Sequence, residues 1–245
     1  MNRVAEQTVF KRYELKYMLT AEQKERVVNA MHEYMELDQY GRTTIRNLYF
    51  DTDDYRLIRH SIEKPVYKEK LRVRSYQCCT PDSKVYVELK KKYKKVVYKR
   101  RIRMPERVAM DWLCNRKLEE YDTQIREEID YFLEYYKTIG PKVFLSYERE
   151  AYFSKDGSDF RVTFDDHILF RETELTLESE PSGISLLEEG KCLMEIKCSG
   201  GIPLWMTSVL TEEQIYKTSF SKYGTAYREY IFPRLMKEKK YGSII

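Results

Sequence analysis

The stretch YKEKLRVRSY, residues 67–76, decides how this chain is read. A β-strand sends successive side chains to opposite faces. On that period Lys70, Arg72 and Arg74 point one way, while Leu71 and Val73 point the other. Two readings are open: a sheet with one solvated face, or the basic wall of a site for a strongly anionic ligand. The other strands decide between them.

Seven further segments show the same alternation over strand length: VFKRYELKYML (9–19), TIRNLYFD (44–51), KVYVELKKKY (84–93), KVVYKRRIRM (95–104), KVFLSYEREAYFS (142–154), DFRVTFDDHILF (159–170) and KCLMEIKCSG (191–200). One parity collects Arg12, Glu14 and Lys16, then Glu88, Lys90 and Lys92, then Lys99, Arg101 and Arg103. It continues with Arg149, Arg161 with Asp165, and Glu195 with Lys197. The other parity is largely apolar. TPDS and KDGS read as hairpin turns. Thr20 and Gln23 form a capping box ahead of a helix. DTQIREEIDYFLEYYK reads as a second helix ended by Gly140 and Pro141, and a short one follows FDTDDY. Thr211 and Gln214 read as the start of a last capped region, residues 172–190 as a surface excursion, and KEKKYGSII as a frayed tail. No linker or repeat divides the chain. The expectation is one α+β domain over 1–245 with its core at about 8–231.

Composition sets the remaining bounds. With 42% hydrophobic and 34% charged residues, and no long apolar run, the chain reads as globular. The amino-terminal stretch lacks the pattern of a signal peptide. Five cysteines without CxxC spacing fit a reducing compartment, so a cytoplasmic location is expected. A net charge of only +4 does not point to nucleic acid, and the basic parity carries no aromatic platform for single strands. P-loop, GxGxxG, GxSxG and HExxH motifs are absent, which disfavours the corresponding enzyme classes.

A solvated face normally mixes both charge signs with neutral polar groups, because like charges set across strands repel. Two unit charges at about 4 Å in an effective dielectric of about 20 interact by about 4 kcal/mol. A wall of lysine and arginine on nearly every strand therefore calls for a multiply charged anion. Condensed phosphate fits, since arginine offers bidentate contacts and lysine a point charge. A sheet curled into a barrel would surround such a chain, with helices outside against the apolar parity.

The motifs RYELKY, YFDT, LRVRSY, VYVELKKK, YERE, FRVTFD, MEIK and SFSKY occur in this order. Together they resemble the polyphosphate polymerase domain of the vacuolar transporter chaperone family, within the triphosphate tunnel metalloenzyme (CYTH-like) superfamily. The resemblance implies an antiparallel β-barrel tunnel with peripheral helices. It implies a phosphotransferase that moves the γ-phosphate of ATP onto inorganic polyphosphate with Mn²⁺ or Mg²⁺. Lys16, Arg72, Arg74, Lys90, Arg149, Arg161 and Lys222 would act on the reacting phosphates. Lys70, Glu88, Arg101, Arg103, Lys197 and Ser221 would line the substrate path, and Glu195 would hold the metal. Arg12 stands where the superfamily's hydrolases carry the first Glu of ExExK, and Ser219 where a family lysine is found; Lys217 is its nearest substitute. A membrane partner that exports the polymer, with the domain at the inner face of a membrane, also follows from the resemblance. A triphosphate hydrolase on the same scaffold and a non-catalytic polyphosphate or inositol-phosphate binder are the alternatives. Glu14 and Asp165 are expected to pair with neighbouring cations, and Lys92, Lys94, Lys95 and Lys99 to form a solvated rim.

Overall fold

A computed structural model describes residues 9–10, 13–94, 96–118, 121 and 123–242. Arg12 and Lys95 lie outside the described residues. The strands are β1 (Val9–Phe10), β2 (Tyr13–Thr20), β3 (Met35–Leu37), β4 (Thr43–Asp51), β5 (Tyr67–Ser75) and β6 (Lys84–Tyr93). After them come β7 (Val96–Pro105), β8 (Gly140–Ser154), β9 (Arg161–Arg171), β10 (Ile184–Ser185), β11 (Lys191–Cys198) and β12 (Lys217–Thr218). Every pairing is antiparallel. The order is β1-β7-β6-β5-β4-β8-β9-β11-β2-β12, with β3 beside β8 and β10 beside β9. β1 and β2 are neighbours in sequence yet sit near opposite ends of this order. The sheet therefore curls round on itself into a tunnel.

The apolar parity faces outward against helices, as the alternation requires. Leu71, Val73, Val85, Val87, Leu89 and Met104 are covered by α3 (Glu106–Asn115) and α4 (Gln124–Tyr135) through Trp112, Leu113, Phe132 and Leu133. Tyr17, Leu19, Val162, Phe164, Met194 and Ile196 are covered by α1 (Ala21–Met31) and α5 (Leu204–Glu212) through Val27, Met31, Met206 and Leu210. Each such fully buried side chain contributes roughly 1.5–3 kcal/mol. The capping box is formed: Thr20 Oγ1 accepts from Gln23 N at 3.2 Å and Gln23 Oε1 accepts from Thr20 N at 3.0 Å.

The third apolar cluster lies inside the tunnel. Ile45, Tyr49, Val143, Leu145, Tyr147, Ile168, Phe170 and Leu193 meet Tyr55 and Ile58, from and just before α2 (Arg56–Ile62), and Tyr223, Tyr227 and Ile231. The last three belong to one helical run: α6 (Lys222–Ala226), a π-helical segment (Tyr227–Ile231) and α7 (Phe232–Gly242). Pro233 explains the wide turn. It offers no N–H to the carbonyl four residues earlier and crowds it, so the helix loosens ahead of it. Phe232 N–H accordingly donates to Tyr227 O, five residues back. A bulge in β9 supports this interior packing. His167, at φ 46, is the extra residue, and it moves the inward parity from Asp165 to Ile168 and Phe170.

Several local expectations need correction. Thr211 lies in the last turn of α5, where its hydroxyl donates to Thr207 O, so it caps no new helix. Of the residues expected as a frayed tail, 237–242 continue α7 to Gly242, and 243–245 lie outside the described residues. The 172–190 stretch is the surface excursion expected, mostly exposed and pinned by the buried Leu177 and by the Arg171 guanidinium, which donates to the Glu174 and Ser182 carbonyls. α4 ends at Tyr135, and Gly140–Pro141 open β8. All five cysteines are free thiols. No helix among the described residues is long and apolar enough to cross a membrane.

Candidate active site

The charged half of the tunnel is organised around carboxylates. Glu88 of β6 is 1% exposed. Arg72 from β5 donates to it through Nε at 2.8 Å, with Nη2 at 2.7 Å. Lys99 and Arg101 from β7 reach its other oxygen at 2.7 and 3.3 Å, and Arg74 lies at 4.0 Å. Burial alone would raise the Glu88 pKa; Arg72, Arg74 and Lys99 override it and hold the carboxyl well below its usual range. The arginines are fixed from a second side too. Arg72 donates to the Tyr49 hydroxyl at 3.0 Å, and Arg74 to Asn47 Oδ1 at 2.9 Å and the Tyr147 hydroxyl at 3.0 Å. Cross-strand register places these partners, with Arg72 opposite both Tyr49 and Glu88 and Arg74 opposite Asn47.

The second cluster joins Asp165 of β9 and Glu195 of β11. Arg149 of β8 grips Asp165 with two hydrogen bonds of 2.5 and 2.6 Å, and Lys222 donates to it at 2.5 Å. Glu195 lies 3.1 Å from Lys16, 3.0 Å from Lys197, and 3.8 Å from both Arg149 and Lys222. Lys16 also lies 3.5 Å from Glu14 and donates to Phe220 O at 3.0 Å. Against burial, which would raise Glu195, these cations hold it well below the carboxylate range. Ser221 caps α6 by accepting from Gly224 N at 3.2 Å, which aims Lys222 into the tunnel. Tyr147 joins the two clusters, for the Lys222 ammonium sits 4.3 Å from its ring centre and Arg149 at 5.0 Å.

The structure brings together Lys16, Arg72, Arg74, Glu88, Arg101, Arg149, Glu195, Lys197 and Lys222. Lys90 is more exposed and meets Glu14 at 3.8 Å. Lys70 faces the tunnel with no carboxylate within 4 Å among the described residues. Burial pushes it down to about 8, with Lys90 and Lys68 acting the same way. Arg161 stacks on Phe153 at 4.5 Å, and Arg103 is exposed, opposite Tyr86. Lys99, expected on a solvated rim, instead pairs with Glu88. Tyr49, Asn47 and Tyr147 were not anticipated, although they share the inward parity of their strands; polar aromatics do not stand out in a charge pattern.

The described interior is that of an antiparallel tunnel, buried, cationic and organised by carboxylates. The chain belongs to the VTC domain family, whose model matches residues 11–231. Two solved structures share the fold. A candidate adenylate cyclase from Bacillus halodurans aligns at a TM-score of 0.54 and 14% identity, covering 87% of this chain and 95% of that one. A candidate adenylyl cyclase from Hippeastrum, described as having a dominant triphosphatase activity, aligns at 0.52 and 16%, covering 88% and 94%. No curated protein sequence matches the chain significantly.

Proposed function

We propose that the tunnel is the active centre of a polyphosphate polymerase that moves the γ-phosphate of ATP onto a growing inorganic polyphosphate chain. One observation carries the reading. Among the described residues, the cations of the charged half outnumber its carboxylates Glu14, Glu88, Asp165 and Glu195, and each of these is already held by at least two cations. The excess charge is left for a polyanion. Membership of the VTC family supports the same substrate.

Phosphoryl transfer needs alignment and charge against the equatorial oxygens more than covalent work by the protein. Arg72, Arg74 and Arg149, each fixed from two sides, suit bidentate contacts to phosphate oxygens. Lys16, Lys90 and Lys222 add point charges, and Arg161 extends the grip toward one mouth. Lys70, Arg101, Arg103, Lys197 and Ser221 line the path. No protein nucleophile is assigned; the attacking oxygen belongs to the acceptor phosphate.

A divalent ion fits the donor set. Glu195 and Glu14 both border the Lys16 ammonium, at 3.1 and 3.5 Å. Among the described residues no three His, Cys, Asp or Glu side chains form a complete site. Such a pair suits Mg²⁺ or Mn²⁺, which take their remaining ligands from phosphate and water. The ion would neutralise charge on the transferring phosphate. A cytoplasmic location beside a membrane partner that removes the polymer belongs to the same proposal.

The test is incubation of pure protein with ATP and Mn²⁺, followed by a gel stained for polyphosphate. A ladder of long chains is expected. Phosphate release from tripolyphosphate without a ladder would move the reading to a hydrolase. Tight polyphosphate binding without turnover would leave a binding module.

A further inference from the structure

We propose that Lys68 and Lys92 form an outer subsite that holds the polyphosphate chain beyond the phosphates gripped at the tunnel centre. The proposal rests on the polyphosphate reading above. The inward row of β5 does not stop at Lys70. It runs Arg74, Arg72, Lys70, Lys68, and β6 answers with Glu88, Lys90, Lys92. The register sets Lys70 opposite Lys90, Lys68 opposite Lys92, and Lys90 opposite Lys99. Like charges set directly across a ladder are unfavourable, so this arrangement works against the sheet that carries it.

The outward face of the same strands handles its cations differently. Lys91 and Arg100 both pair with Glu128 of α4, at 3.1 and 3.0 Å. Inward, beyond Glu88, the balance fails. Among the described residues no carboxylate lies within 4 Å of Lys68, Lys70 or Lys92, and Glu14 alone reaches Lys90. Burial pushes Lys68 below its usual value, and Lys92, Lys90 and Lys64 push it further. Uncompensated repulsion confined to the inward parity marks a place where an anion supplies the missing charge.

Length identifies that anion. From Arg74 to Lys68 the row spans six residues, about 20 Å at about 3.4 Å per residue. Three phosphates joined by two bridging oxygens are far shorter. The change of residue type along the row agrees. Arginines fixed by Glu88, Tyr49, Asn47 and Tyr147 sit at the centre, where phosphates must be aligned. Lysines, which bind as point charges without a set orientation, lie outside, where a polymer must be held yet slide.

Binding of tripolyphosphate and of long-chain polyphosphate is compared in wild type, Lys68→Ala/Lys92→Ala and Lys92→Glu. The single variant is needed because Lys68 Nζ also donates to Ser61 O at 3.0 Å, near the end of α2. Tripolyphosphate affinity should stay within about twofold in both variants. Long-chain affinity should fall by about tenfold in the double variant, with a salt dependence shallower by about 0.7 for each lysine lost. Unchanged long-chain affinity in both variants overturns the subsite. So does an equal loss for both ligands, or a wild type that binds the long chain no tighter than tripolyphosphate. A wild type that binds neither overturns the tunnel reading itself, a result distinct from the others.

Discussion

Glu88 sets the terms at the scale of single residues. Removing one partner from a buried ionic cluster leaves the others uncompensated, typically at 3–5 kcal/mol. Glu88→Gln should therefore lower unfolding stability in urea by about 3 kcal/mol or more, and added tripolyphosphate should recover part of it. Unchanged stability would mean that Arg72, Arg74, Lys99 and Arg101 do not depend on Glu88. Because the folded pKa of Glu88 is depressed, its contribution is present above the unfolded value and disappears as pH falls below it. Lys70 acts in the opposite range. It is charged below about 8 and neutral above. Tripolyphosphate binding should weaken as pH rises through about 8, and Lys70→Met should flatten that limb of the profile. An alkaline limb that survives in Lys70→Met would assign it to another group. In the unliganded protein the unfolded chain binds the extra proton between about 8 and about 10.4, so Lys70 adds stability with rising pH across that window. The charged members of the site were legible because strand parity sorts them. Parity also placed Lys99 on that face but not its pairing with Glu88, and it passed over the tyrosines, since those roles depend on which neighbour lies across the ladder.

The α6 cap shows how an element can matter more than helix propensity. Gly→Ala inside a helix ordinarily gains up to about 1 kcal/mol. At Gly224 an added Cβ would lie 3.1 Å from both Cβ and Oγ of Ser221, the residue that caps the helix through Gly224 N. Ser221 cannot retreat without losing that bond, so Gly224→Ala is expected to destabilise in thermal unfolding. Ser221→Ala should cost about 1 kcal/mol. A gain at Gly224 would show that the cap is dispensable. Elements with strong local signals were readable in advance, including the Thr20 capping box and the hairpins of β5–β7. Others depend on tertiary structure. The His167 bulge shifts the inward parity partway along β9, and periodicity alone cannot reveal a shift of register. α3 carries Ala109, Trp112 and Leu113 at helical spacing, but over only ten residues and straight after a strand. The last helix was hidden by Pro233, which reads locally as a stop and is accommodated by the π turn.

At the scale of the molecule, one curled sheet does two jobs that oppose each other. Its outward face builds ordinary cores under α1, α3, α4 and α5. Its inward face is half apolar plug and half concentrated positive charge. The barrel was foreseeable from a chain of like-parity cations. The plug was not, because it needs α2 and the carboxy-terminal helix inside rather than outside the sheet. Repulsion in the charged half is part of the unliganded state, so a ligand that relieves it should stabilise the whole molecule. At about 100 times its dissociation constant a ligand adds about 2.7 kcal/mol. For a chain of this size, that corresponds to a rise in Tm of roughly 5–10 °C. Tripolyphosphate at millimolar concentration should produce that rise, while an equal ionic strength of sodium chloride should give much less. Screening by a monovalent salt weakens the Glu88 and Asp165 pairs along with the repulsion, whereas a polyanion replaces the missing charge in place. Equal shifts from the two salts would mean that the cations answer only to ionic strength. No shift with tripolyphosphate would remove the tunnel as an anion site whatever activity the protein has.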